Sequence, residues 1–95
     1  MILPTEYFLV PAQLLIRLGY VAGALTVTSF LPQVIRAWRT KRTRDLSLGS
    51  FALLTAASSL WIVYGALSRD WPVVATNSGM VMLTGALAVA KLRYR

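Results

Sequence analysis

The chain has 95 residues, of which 57% are hydrophobic and only 14% are charged. A small soluble domain covers a large surface with polar groups and carries about 25% charged residues, so this composition indicates lipid as the main solvent. The sequence contains no cysteine and no histidine. This excludes disulfide frameworks, thiolate nucleophiles, histidine metal sites and histidine-dependent triads, so we predict neither a cofactor nor an enzyme.

Three segments of the chain contain no charged residue: 18–35, 46–68 and 71–90. At about 1.5 Å of rise per residue, each matches the ~30 Å hydrocarbon layer of a membrane. None alternates apolar and polar residues with a period of two, so the backbone must satisfy its hydrogen bonds as a helix. The sequence predicts an all-α membrane protein, one membrane domain over 1–95, with approximate spans at 18–37, 46–68 and 71–90.

Residues 1–16 precede the first span. The segment 7–16 is apolar, but Pro11 interrupts it and it is too short to cross a membrane alone. Two interpretations stay open for 1–16: the outer part of the first helix, or an N-terminal extension that lies at the interface.

Basic residues concentrate at one end of the predicted bundle. The loop between the first two spans holds five and the C-terminal tail three, whereas the opposite side holds only Arg17 and Arg69. This bias predicts a cytoplasmic loop and C-terminus and an N-terminus outside. The net charge of +7 then follows from topology and anionic lipid headgroups, so lipid is an expected partner and nucleic acid is not.

Polar residues inside the spans need partners. Ser and Thr can donate a hydrogen bond back to their own helix, which is the simplest interpretation of most of them, whereas Gln33 and Asn77 are harder to satisfy. The small residues of Gly19-x-x-x-Gly23 predict a close helix contact, within one chain or between two.

Trp61 and Asn77 stand eight residues before and eight after Arg69. A helical hairpin that turns at 68–71 places both at the same depth, about 12 Å from the turn. An aromatic face and a carboxamide at one level can bind a sugar, because the ring stacks on C–H groups while the amide exchanges hydrogen bonds with hydroxyls. The alternative is a tryptophan packed inside the bundle and an asparagine that joins two helices.

Pro32 lies inside the first span and lacks the N–H that would bond the carbonyl of Thr28, which predicts a bend. Gln33 follows it directly. A hinge and a static kink are both compatible with this pattern.

An ordered set of motifs carries a resemblance to a known family. The three spans contain, in order, Leu31-Pro32-Gln33, Thr43-Arg44-Asp45, Trp61-x-x-Tyr64-Gly65 and Asn77. From about Leu18 to its C-terminus, the sequence resembles the bacterial SemiSWEET sugar transporters of the PQ-loop superfamily.

The resemblance implies a parallel homodimer in the bacterial inner membrane that encloses one pathway on its two-fold axis. It further implies facilitative uniport of a mono- or disaccharide by alternating access. Trp61 and Asn77 of both protomers would then bind the substrate in a central pocket. Pro32, with Gln33 beside it, would be the hinge at which the inner end of the first helix opens and closes.

The sequence departs from the family pattern at the outer gate. Tyr64 and Asp70 are kept, but Ser68 stands where the family often has an arginine, and Arg69 follows one position later, about 100° further round the helix. We therefore assign the outer gate to Tyr64, Arg69 and Asp70. The alternative for Arg69 and Asp70 is an exposed ion pair worth at most about 1 kcal/mol.

Other functional classes compete with sugar transport. The charge-free segments hold no group for a proton relay or for binding a cation, which disfavours energy coupling and cation export. A small pore-forming or structural membrane protein, similar to a holin, also has few spans and a basic tail. Such a protein needs no paired tryptophan and asparagine, so saturable and stereospecific flux separates the two functions.

Overall fold

Three helices build the part of the chain that the structure, a computed structural model, describes, namely residues 10–95. They are α1 (Ala12–Thr40), α2 (Leu48–Leu67) and α3 (Trp71–Arg93), and no strand occurs within those residues. Each helix is long and apolar enough to cross a membrane. The predicted all-α membrane fold with three spans is confirmed.

α1 and α3 extend beyond their charge-free segments. A charged side chain must lie outside the hydrocarbon layer, but it can still belong to a helix that continues past that layer. α1 begins directly after Pro11 and continues past Arg17 and Arg36. With 29 residues it is about 44 Å long, so both of its ends reach beyond the ~30 Å apolar layer. Residues 12–16 are therefore the first turns of α1, whereas 1–9 lie outside the described residues.

The two connections close opposite ends of the bundle. Residues 68–70 join α2 to α3 directly, and we call this the hairpin end. Residues 41–47 join α1 to α2 at the other end, beside the C-terminal residues 94–95, and we call this the loop end. α3 packs on both neighbours, whereas α1 and α2 do not approach each other within 8 Å between Cα atoms over the described residues. The spatial order is therefore α1, α3, α2.

Glycines let α1 and α3 approach closely. A Cβ added to Gly19 would lie 3.0 Å from Cβ of Pro72, and one added to Gly23 would clash with the hydroxyl of Thr76. Both partners belong to α3. The Gly-x-x-x-Gly motif thus serves helix packing within one chain, which resolves the alternative that the sequence left open.

The polar residues of the spans are largely satisfied locally, as predicted. The hydroxyls of Thr55 and Thr84 lie 2.8 Å apart across α2 and α3, and Thr84 also donates to the carbonyl of Met80 at 2.7 Å. Several hydroxyls, including that of Thr55, donate to a carbonyl three or four residues earlier in their own helix. This confirms the simplest interpretation of these residues. They are Thr26, Ser29, Thr55, Ser59 and Ser78.

The only cluster of buried apolar side chains within residues 10–95 lies near the loop end. It consists of Ala37 on α1 with Leu87 and Ala90 on α3, and Leu87 is fully buried. Trp38 closes this cluster, and its indole Nε1 donates to the carbonyl of Ala86 at 3.2 Å. The loop end is therefore the packed end of the protomer.

Candidate functional site

Trp61 lies on α2, to one side of the face that carries the buried Ser58 and Gly65. Its side chain is 52% exposed, and its ring meets that of Tyr64 edge to face with centroids 5.4 Å apart. The two rings are one helical turn apart and line a shallow groove of about 460 Å³ together with Ala57 and Leu60. The groove offers an aromatic surface that the protomer itself does not cover.

Asn77 lies on α3 and lines a second groove, of about 710 Å³, between α1 and α3. Its Nδ2 donates to the carbonyl of Val73 at 2.9 Å, within its own helix. No second hydrogen bond to this amide is found among the described residues. Its Oδ1 is thus available to a hydroxyl donor that enters the groove.

The register of the hairpin places Trp61 and Asn77 close to the same depth. The Thr55 and Thr84 hydroxyls meet across it, and a Cβ on Gly65 would lie 3.0 Å from Val73 Cγ1. These pairs show that the hairpin is symmetric about residue 69. The depths of Trp61 and Asn77, measured along the helix axes, therefore differ by no more than about 1.5 Å. Trp61 and Asn77 therefore lie at similar depth, as their spacing in the sequence predicts.

The two side chains line different grooves of the protomer. Trp61 faces the groove on α2, and Asn77 faces the groove between α1 and α3. Within the described residues, Trp61 is half exposed and the hydrogen bond of the Asn77 side chain stays within α3.

Pro32 and Gln33 lie on exposed positions of α1, one turn before the buried Ala37. α1 continues through Pro32 without a break. Pro32 therefore separates two parts of one helix: a loop-end part packed on α3 through Ala37 and Trp38, and a hairpin-end part that packs through Gly19 and Gly23.

The three residues assigned to the outer gate fall into two different environments. Tyr64 belongs to the groove of Trp61, whereas Arg69 and Asp70 line the mouth of the groove that contains Asn77. Asp70 caps α3, because its Oδ1 accepts the amide of Val73 at 3.3 Å.

Arg69 lies just after the end of α2 and has a left-handed conformation with φ of 57°. Its amide donates to the carbonyl of Ala66 at 3.3 Å, and the amide of Asp70 donates to the carbonyl of Gly65 at 2.8 Å. These two bonds form a Schellman motif, in which glycine is the usual residue at the position of Arg69.

Sequence reasoning missed the residues that α1 contributes to the larger groove. Tyr20 and Thr26 line it opposite Thr76 and Asn77. The motif Gly19-x-x-x-Gly23 could have indicated these residues, because the face of α1 that approaches α3 also determines which residues of α1 border the groove. The motif did not say which helix α1 approaches.

Comparisons with known proteins identify relatives of this chain. A family model described as PQ loop repeat matches residues 15–74. The chain is 39% identical over 77 residues to a sugar transporter SemiSWEET of Bradyrhizobium diazoefficiens, which covers 81% of this chain and 90% of the relative. It is 47% identical over 60 residues to a sugar transporter SemiSWEET of Leptospira biflexa, which covers 63% of this chain and 71% of the relative.

A solved structure is similar over the whole bundle. The crystal structure of a bacterial homologue of SWEET transporters superposes with a TM-score of 0.82 at 33% sequence identity, covering 86% of this chain and 99% of that chain. The three-helix arrangement is thus one that solved relatives share.

Proposed function

The chain belongs to the SemiSWEET family of the PQ-loop superfamily, and we propose that it is a facilitative transporter of small sugars. Two copies would enclose a central pocket, and the sugar, a mono- or disaccharide, would cross by alternating access. The observation that carries the proposal is the pairing of Trp61 with Asn77 at one depth of the membrane, each with a surface that its own protomer leaves uncovered.

The chemistry of the two side chains suits a sugar. An exposed indole face stacks on the C–H face of a pyranose, and a carboxamide whose oxygen is unused accepts a hydroxyl hydrogen bond. The groove of Asn77, about 710 Å³, lies within the ~300–1,000 Å³ typical of small-molecule sites. An apolar solute would need neither group.

A homodimer is part of the proposal for a physical reason. Three helices in the order α1, α3, α2 form a layer and not a closed ring, so one protomer cannot surround a polar passage. Large apolar side chains such as Leu53, Leu60 and Leu67 are mostly exposed on α2. Lipid and a second copy of the chain are the two surfaces that would cover them.

We further propose that the protein lies in the bacterial inner membrane with its N-terminus outside and its loop end in the cytoplasm. The eight basic residues of the loop and tail against two on the other side support this orientation. Uniport is the proposed mode, because the charge-free segments carry no titratable carboxylate, amine or imidazole to couple transport to protons or cations.

The proposed hinge is Pro32, with Gln33 beside it. The loop-end part of α1 is bonded to α3 through Trp38 and Ala86, so a bend at Pro32 changes the angle between that part and the rest of α1. The proposed outer gate remains Tyr64, Arg69 and Asp70, which would meet only when the grooves of two protomers face each other.

The deciding experiment is uptake of labelled glucose and sucrose into proteoliposomes that contain the purified protein. We expect saturable uptake that Trp61→Ala and Asn77→Ala both abolish while size-exclusion chromatography still shows the dimer. Two matched controls keep the uptake: Leu53→Ala, an exposed residue on the same helix as Trp61, and Ser78→Ala, the neighbour of Asn77.

Pro32→Ala in the same assay should leave sugar binding intact and slow the exchange, because a straight helix resists bending. Wild-type exchange rates in this variant would remove the hinge. Flux of any small solute regardless of all these substitutions would instead identify a small pore-forming or structural protein.

A further inference from the structure

Two cations converge on one aromatic ring at the loop end. Nζ of Lys41 lies 5.7 Å from the centroid of the Tyr94 ring, and Cζ of Arg93 lies 5.6 Å from it. Both distances are within the ~6 Å at which a cation is attracted to the ring face. Cations from two separate segments of the chain thus contact the same ring.

The Tyr94 ring is fixed in place. Trp38 meets it edge to face, with centroids 5.6 Å apart and planes at 86°. The backbone carbonyl of Tyr94 accepts the hydroxyl of Thr43 at 2.7 Å, and Thr43 is only 2% exposed. Lys91 then donates to the carbonyl of Thr43 at 2.7 Å. The loop and the end of α3 are therefore docked before any ligand arrives.

The two cations have unused donors and little negative charge nearby. Among residues 10–95, neither the Lys41 ammonium nor the Arg93 guanidinium donates to a protein acceptor. Asp45 is the one acidic residue of the segments 36–45 and 91–95, against eight basic ones. Lys41 also occupies a left-handed conformation with φ of 58°, which a side-chain-bearing residue adopts at a cost that the surrounding contacts must offset. An anion that accepts hydrogen bonds from both side chains would use these donors.

The depth of the cluster identifies the class of anion. The last charge-free segment ends at residue 90, and Tyr94 with Trp38 lies just beyond it, where amphipathic aromatic rings meet the headgroups. We propose that Lys41, Arg93 and Tyr94 form a binding site for the phosphate of an anionic phospholipid. The proposal is independent of what the protein transports.

The test measures lipid binding to the purified full-length protein by native mass spectrometry, with phosphatidylglycerol and phosphatidylcholine as probes. We expect Lys41→Gln combined with Arg93→Gln to weaken phosphatidylglycerol binding about tenfold. The matched control is Arg42→Gln combined with Arg44→Gln, which removes the same charge from the same end and should change binding by no more than about twofold. All four side chains are exposed, and Lys41→Gln against Arg42→Gln repeats the comparison with single substitutions.

Three results would overturn the proposal. Equal weakening in the control pair would mean diffuse attraction of lipid to the basic end. Phosphatidylcholine binding as strongly as phosphatidylglycerol would exclude selection for the anionic headgroup. Displacement of the lipid by inorganic phosphate at millimolar concentration would indicate a site for free anions. A Tyr94→Phe variant should bind like wild type, because the ring face and not the hydroxyl faces the cations.

Discussion

The two ends of the bundle hold α1 in different ways. At the loop end, α1 and the following loop are tied to α3 by the bonds from Trp38 and Thr43 and by the buried side chain of Leu87. At the hairpin end, α1 meets α3 through Gly19 and Gly23, and no side-chain hydrogen bond joins the two helices there among the described residues. The larger groove opens beside these glycine contacts.

The two ends thus differ in the kind of contact that holds α1 against α3. Hydrogen bonds and a buried leucine hold the loop end, whereas close van der Waals contacts at glycines hold the hairpin end. Pro32 stands between the two regions of α1. The loop end therefore holds the buried contacts between α1 and α3, and the groove of Asn77 lies toward the hairpin end.

The largest expected effect is at the loop end. Leu87→Ala removes a fully buried side chain and should lower the free energy of unfolding by about 2–5 kcal/mol. Leu67→Ala, at the hairpin end where the side chain is 82% exposed, should change it by no more than about 0.5 kcal/mol. Unfolding by denaturant titration in micelles measures both. Similar losses in the two variants would mean that the ends do not differ in packing.

Two glycine substitutions should shift stability in opposite directions. Gly23→Ala pushes a methyl group into Thr76 and should cost about 1–3 kcal/mol through overpacking. Gly85→Ala, in the same kind of helix interior, meets nothing within 4 Å and should gain up to about 1 kcal/mol from helix propensity. The same unfolding titration applies. A neutral Gly23→Ala would show that α1 and α3 separate easily at the hairpin end.

The smallest effect is expected at the turn itself. Arg69→Gly places the preferred residue at a left-handed position, φ 57°, and should raise the free energy of unfolding by up to about 1 kcal/mol. Because Arg69 lines the mouth of the groove, sugar uptake should change as well. Uptake at the wild-type rate, together with the gain in stability, would leave Arg69 a helix-ending residue and remove it from the proposed gate.

Much of the fold followed from local properties of the sequence. Charge-free segments located the three spans, because an isolated charge is costly in hydrocarbon wherever it occurs along a helix. The depth of Trp61 and Asn77 followed from their equal separation from Arg69, since rise per residue is constant in a helix. The bonds of the Ser and Thr hydroxyls followed from a backbone geometry that repeats every turn.

Only the tertiary structure decided which faces meet. The sequence did not show that α3 lies between α1 and α2, that Gly23 packs on Thr76, or that Trp61 and Asn77 open into different grooves. It also did not show that Thr43 bonds Tyr94, 51 residues further along the chain. The depth of a residue is fixed by its position along its own helix. Which helix a given face packs against depends on the small residues and hydrogen-bond partners of all three helices.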